Sequence, residues 1–216
     1  MCGRYSASRP PDLMAETYAA TVVDEPPPPS WNVAPTDPCS VVVERGEGRE
    51  LRTLKWGLIP SWAEDDRIAS KLINARAETV ASKPAFRSAL VKRRCLVPAD
   101  GWYEWRDKRP HFISRPEPIA FAGLYERRGE TRTFTIVTTS AARDIAYLHD
   151  RMPVVLPPSV WDAWLDPAHD DVEALVGLLV PQAGCTAYEV SKAVSNVRSN
   201  GPQLLDPAPA DEATLF

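Results

Sequence analysis

This chain lacks a long hydrophobic run. The longest, Ala174 to Val180, falls far short of the roughly 20 apolar residues a membrane-crossing helix needs. Cysteine occurs four times, at 2, 39, 95 and 185, without CxxC spacing, and the three histidines, 111, 149 and 169, are scattered. Neither a zinc site nor a disulfide framework is indicated, and a reducing cytoplasm fits best. Cys39, Cys95 and Cys185 read most simply as small buried hydrophobes. Net positive charge is lacking too: 25 Lys and Arg against 29 Asp and Glu leave −4, which argues against a surface coated for nucleic acid.

What the chain does have is an ordinary globular composition, 44% hydrophobic and 25% charged over 216 residues. That length suits a single domain that buries about 70% of its unfolded surface. Proline, at 22 residues, is about twice its usual share, so long stiff loops are expected. The charge is unevenly spread. Between Arg49 and Arg115 stand 15 basic and 8 acidic residues, so an overall acidic chain contains a basic middle. One basic groove on an acidic body would produce this, as would a solvated charged face. Of the basic residues 19 are Arg and 6 Lys, a ratio that suits phosphate forks but also follows from coding bias.

Local patterning predicts a short helix over Pro11 to Ala20 and a polyproline loop over Pro26 to Pro29. Strands are expected over Ser40 to Glu44 and Leu51 to Leu58, around the turn at 45–48. Ser82 and Pro84 suggest a capped helix to Lys92. Strands then dominate: Arg94 to Pro98, Trp102 to Arg106, His111 to Ser114, Ile119 to Tyr125 and Arg132 to Thr139. In the last, Phe134, Ile136 and Thr138 alternate with Thr133, Thr135 and Val137, as in a half-buried antiparallel sheet. Helices are expected over Ala141 to His149, Pro158 to Leu165 (with Ser159 and Asp162 spaced as a capping box) and Asp171 to Val180. This is an α+β pattern in one compact domain over 2–200, followed by a flexible tail over 201–216.

The chemistry begins at Met1-Cys2-Gly3-Arg4. Methionine is normally removed before a small second residue, which would leave a free α-amine and a thiol on Cys2. An α-amine has a pKa of about 7.7 to 8.0, so a useful fraction is the nucleophilic free base near neutrality. An aldehyde meeting this pair forms an imine, and the thiol then closes on the imine carbon to a thiazolidine. Aldehyde capture is thus one reading of Cys2. Others are an incidental cysteine and an N-terminal nucleophile hydrolase whose amine serves as base for its own thiol. No apolar segment precedes Cys2, as a lipoprotein would require, and myristoylation needs Gly at that position.

Four polar clusters interrupt apolar surroundings: Trp31 to Thr36, Asn74 to Thr79, Pro98 to Trp105 and His149 to Pro153. Glu104, flanked by Tyr103 and Trp105, is either a carboxylate with a raised pKa fit for acid/base work or the outward residue of a strand. His149 reads as a helix-end or surface histidine, or as a catalyst. Arg76 and Arg151 either hold phosphates or pair with Glu78 and Asp150.

Met1 to Arg4, Trp31 to Thr36, Leu54 to Trp62, Asn74 to Thr79, Gly101 to Trp105 and His149 to Pro153 occur in this order and spacing in the SOS response-associated peptidase family. The chain closely resembles that family over residues 2 to about 200, with no departure at a motif position. The resemblance implies curved, mainly antiparallel, barrel-like sheets flanked by short helices, and a protein that senses abasic sites in single-stranded DNA. It implies a covalent crosslink through Cys2, with Asn74 orienting the amine or sugar, Glu104 transferring protons at the amine and His149 protonating the sugar oxygen. Arg76 and Arg151 match phosphate clamps, with Arg4 adding to them, and Trp56 and Gly57 match the element on which bases stack or are wedged apart. No metal or cofactor is implied. The expectation is a monomeric cytoplasmic protein, associated with the nucleoid when bound to damaged DNA, with lyase-like and self-processing activity. A cysteine peptidase acting on other proteins and a non-covalent binder of modified bases remain alternatives.

Overall fold

A computed structural model describes residues 2–46 and 48–209. Thirteen strands build two sheets: β1 (Tyr5–Ala7), β2 (Ala20–Val22), β3 (Ser30–Val33), β4 (Pro38–Arg45), β5 (Gly48–Trp56), β6 (Asn74–Arg76), β7 (Arg94–Ala99), β8 (Gly101–Arg106), β9 (Arg109–Ser114), β10 (Ile119–Arg128), β11 (Thr131–Ser140), β12 (Arg151–Pro153) and β13 (Thr186–Glu189). The larger sheet runs β12-β11-β10-β7-β4-β5-β2, and β11 pairs again with β5, in parallel at Thr133↔Lys55 and Phe134↔Trp56. That pairing closes β11, β10, β7, β4 and β5 into a five-stranded barrel, which leaves those strands without free edges. The smaller sheet, β13-β9-β8-β1-β3, is antiparallel throughout.

The period-two alternation of side chains divides the core. Val41 and Val43 of β4, Cys95 and Val97 of β7, and Phe134 and Ile136 of β11 share one cluster with Tyr5, Trp102 and Cys2. Val42, Leu96 and Val137 point the other way and pack with Trp161, Trp164 and Leu175 from the helical face. This face carries α1 (Pro11–Tyr18), α2 (Arg87–Lys92), α3 (Trp161–Leu165) and α4 (Val172–Gly177). No helix among the described residues is long and apolar enough to cross a membrane.

The α+β, barrel-like fold agrees with expectation, as do the β4–β5 hairpin and the run of strands from Arg94. Several elements differ. β11 is buried on both faces rather than half-buried, because the barrel interior takes one face and the helical cluster the other. Ala141 to His149 forms turns, not a helix. Asp144 there accepts from the backbone N–H groups of Gly184 and Cys185 at 2.7 and 2.8 Å, and Ala141 N–H bonds Asp150 O at 2.9 Å, so tertiary bonds override local propensity. Ser82 does not cap α2; its hydroxyl donates back to Thr79 O at 3.1 Å. The capping box at Ser159 is absent as well, since Asp162 pairs with Arg49 and a 3-10 turn over Pro158–Val160 leads into α3. Of the tail expected from 201, Pro202–Leu205 form a 3-10 turn with Leu204 buried against Tyr103 and Phe112, while 210–216 lie outside the described residues.

Candidate active site

Residues 2–4 lead into β1, whose antiparallel register against β8 (Tyr5↔Trp102) carries the chain start toward Glu104. The Tyr103 N–H bond to Arg4 O, 3.0 Å, extends that register past the end of β1. Cys2 ends fully buried. Its carbonyl accepts from Asn74 Nδ2 at 2.8 Å, and Asn74 is fixed by the parallel pairing of β6 with β11 at Ile136↔Asn74. The other amide atom, Asn74 Oδ1, is buried and has no hydrogen-bond partner among the described residues. Burial pushes the Cys2 thiol well above its ordinary range, and the Glu104 charge pushes it further.

Glu104 is 3% exposed, between the fully buried Tyr103 and the partly buried Trp105 of β8. Burial raises its pKa from 4.5 to about 7, and the Asp150 carboxylate reinforces the shift. Asp150 also brings His149 into the group. His149 Nδ1 is 2.9 Å from the Arg151 backbone nitrogen and 2.8 Å from Asp150 Oδ1. The two contacts require opposite states of Nδ1. A ring with its proton on Nε2 alone accepts at Nδ1 from the Arg151 N–H, whereas a ring protonated at Nδ1, neutral or charged, donates to Asp150. Burial lowers the His149 pKa, with Asp150 opposing and Arg151 assisting the shift. Cys2, Asn74, Glu104 and His149 are thus four residues from distant stretches of sequence that the fold links around the chain start.

The positions expected to bind DNA divide differently. Arg76 is exposed on β6. Arg151 on β12 is held by a fork on Glu78, Nη1 to Oε1 at 2.5 Å and Nη2 to Oε2 at 3.0 Å. Arg4 is turned inward: its Nη1 donates to Asn32 Oδ1 and to Val194 O, both at 2.9 Å, tying the chain start to β3 and the C-terminal segment. That is a scaffolding role rather than a surface clamp. Trp56 is fully buried, with its indole N–H on Ile73 O at 2.9 Å and its ring edge-on to Tyr5, so it cannot stack on a base. Gly57 is a backbone requirement, with φ at +119° and a Cβ there lying 2.8 Å from Ala69 O. The aromatic side chain of that motif that does reach solvent is Trp62, 59% exposed on the loop after Pro60, which the sequence reading left without a role. Part of the basic middle is also neutralised by acids from elsewhere in the chain. Arg49, Arg52, Arg93 and Arg109 pair with Asp162, Asp24, Glu126 and Glu189, acids outside the counted stretch.

Comparison with known proteins places this geometry. The family model described as SOS response associated peptidase (SRAP) matches residues 1–197. "Abasic site processing protein YoqW" of Bacillus subtilis is 37% identical over 225 residues, covering 95% of this chain and 99% of that protein. "Abasic site processing protein YedK" of Escherichia coli is 32% identical over 228 residues, covering 96% of this chain and all of that protein. A crystal structure of a protein from Bacteroides thetaiotaomicron superposes with a TM-score of 0.84 at 26% identity, over 96% of this chain and all of that one.

Proposed function

Because this chain belongs to the SOS response associated peptidase family, we propose that it processes abasic sites in single-stranded DNA by forming a thiazolidine with Cys2 after Met1 is removed. The names of YoqW and YedK support abasic-site processing as the activity. The observation that carries the covalent reading is the Asn74 amide on the Cys2 carbonyl beside a buried Glu104 whose pKa is about 7. A carboxyl poised near neutrality can take a proton from an ammonium and return it in a later step.

The steps balance without a cofactor. His149 gives a proton to the ring oxygen as the C1′–O4′ bond of the closed sugar breaks, and takes up the proton that the C1′ hydroxyl loses as it becomes the aldehyde. The Cys2 amine, its proton passed to Glu104, adds to C1′ and the carbinolamine loses water to give an imine. The thiol sulfur then bonds to the imine carbon while the thiol proton moves to nitrogen. Asn74 holds the amine through the Cys2 carbonyl, and its Oδ1 is available to an amine or sugar hydrogen. The raised thiol pKa favours this order over a peptidase. A cysteine peptidase attacks as thiolate and lowers its thiol pKa to do so, whereas burial and Glu104 act on Cys2 in the opposite direction. A neutral thiol suffices for closing on an imine.

Intact mass tests the proposal. The purified protein should lack Met1, and after exposure to an abasic oligonucleotide should gain the oligonucleotide mass less one water. A protein that keeps Met1, or gains no mass, overturns it.

We assign base stacking to Trp62 rather than Trp56. Trp62→Ala should leave the melting temperature nearly unchanged and weaken single-strand binding by about 1 to 3 kcal/mol. Trp56→Ala should cost about 3 to 5 kcal/mol of stability, read by chemical denaturation, because it empties a core site shared with Tyr5 and Phe134. Parental single-strand affinity in Trp62→Ala would remove that residue from the interface.

A further inference from the structure

Arg76 and Arg151 arrive at Thr138 of β11 from its two flanks, by the pairing Thr138↔Arg76 with β6 and by β12, whose Ser140↔Arg151 and Thr138↔Pro153 pairings bracket the same stretch. Arg151 is anchored from below. Its Nη2 donates to Thr138 O at 2.6 Å, and its side chain is only 14% exposed. Glu78 lies two residues beyond Arg76, past the buried Ala77, and its side chain is 52% exposed. The carboxylate therefore covers the solvent side of the Arg151 fork. Any anion approaching Arg151 from solution meets Glu78 first.

We propose that Glu78 is an internal stand-in for a DNA backbone phosphate, occupying Arg151 in the empty protein and being displaced when a strand binds. This rests on the reading that the site takes single-stranded DNA. A carboxylate and a phosphodiester each carry one negative charge and present two oxygens to a guanidinium, so the exchange leaves the charge on this half-buried arginine balanced throughout. Arg76, exposed and without an ion pair among the described residues, meets the strand directly; the Arg151 hydrogen bonds, aided by the Arg76 charge, hold the Glu78 pKa below the ordinary carboxylate range, so the stand-in stays ionised at neutral pH. The consequence is selectivity. A tethered carboxylate competes at high effective concentration, so undamaged strands are held weakly and released, while a strand fixed covalently at Cys2 completes the exchange.

The test is binding of undamaged oligothymidylate across a salt series. Glu78→Gln should bind more tightly than the parent at low salt, with a log-log salt slope steeper by about 0.7, the increment for one further phosphate contact. The gain should vanish in Glu78→Gln combined with Arg151→Ala. Weaker binding with a parental slope would mean that Glu78 merely positions Arg151, and would overturn the proposal. If Glu78→Gln does not fold, the parent protein decides the matter through the Glu78 carboxyl carbon in NMR. Its depressed pKa should rise toward the ordinary value once an abasic oligonucleotide is fixed at Cys2, and a pKa that stays depressed in the crosslinked protein overturns the exchange. A parent with no salt-sensitive binding to single strands removes the DNA reading itself, a result distinct from either.

Discussion

Cys2→Ala is expected to give no heat-stable adduct with abasic DNA while still giving an adduct that borohydride traps. The substitution keeps the α-amine, and alanine in second position still permits Met1 removal, so imine formation survives. Ring closure does not, because no sulfur is present to bond to the imine carbon. The lost signal is all or none on a denaturing gel. Cys2→Ser should behave likewise, but it places a hydroxyl at a fully buried position, at about 1 to 3 kcal/mol if the group finds no partner. Alanine is therefore the cleaner variant. A heat-stable adduct formed by either variant without reductant would make the thiazolidine the wrong product and return the chain to a simple Schiff-base mechanism.

The sequence displayed the local elements of the fold more fully than the long-range contacts that assemble them around Cys2. Hairpin β4–β5 and the β10–β11 pair were legible because alternation and a local turn specify them. The parallel β5–β11 pairing that closes the barrel was not, since it joins residues 55 and 133 with no local signal for the contact. That closure is also why Trp56 was misread. The resemblance gave it a base-stacking role, yet the Phe134↔Trp56 pairing draws it inward, and Gly57 to Pro60 after it are buried too, so the chain returns to solvent only at Ser61 and Trp62. For Arg76 and Arg151 the sequence already offered Glu78 and Asp150 as partners, and the fold pairs Arg151 with Glu78. Arg4 was legible only as a cation, since Asn32 and Val194, which decide what its guanidinium does, lie 28 and 190 residues away. Glu104 shows the opposite case. The aromatic neighbours in sequence already suggested a raised pKa, and the fold supplies the burial that produces it.

Glu104→Gln is expected to slow crosslinking by about 10² to 10⁴, the usual worth of a general acid/base step, and to slow reversal of the adduct, since the same group must act in both directions. Stability offers an independent check. The folded carboxyl holds its proton up to about pH 7 whereas the unfolded one loses it near 4.5, so over this interval the native state binds more protons and parent stability falls as pH rises. The glutamine variant, which cannot ionise there, should show a flatter melting profile across the same range. A parental slope in the variant would mean that the buried carboxyl is not the titrating group. His149→Ala should also slow reaction with abasic DNA, but without preventing it, because spontaneous ring opening supplies some aldehyde. A small synthetic aldehyde, which needs no ring opening, separates the two roles. The His149→Ala protein should react with it almost as fast as the parent, while Glu104→Gln remains slow. Equal slowness of both variants toward that aldehyde would place His149 at the amine rather than at the sugar oxygen, and parental rates for both on abasic DNA would leave neither group catalytic.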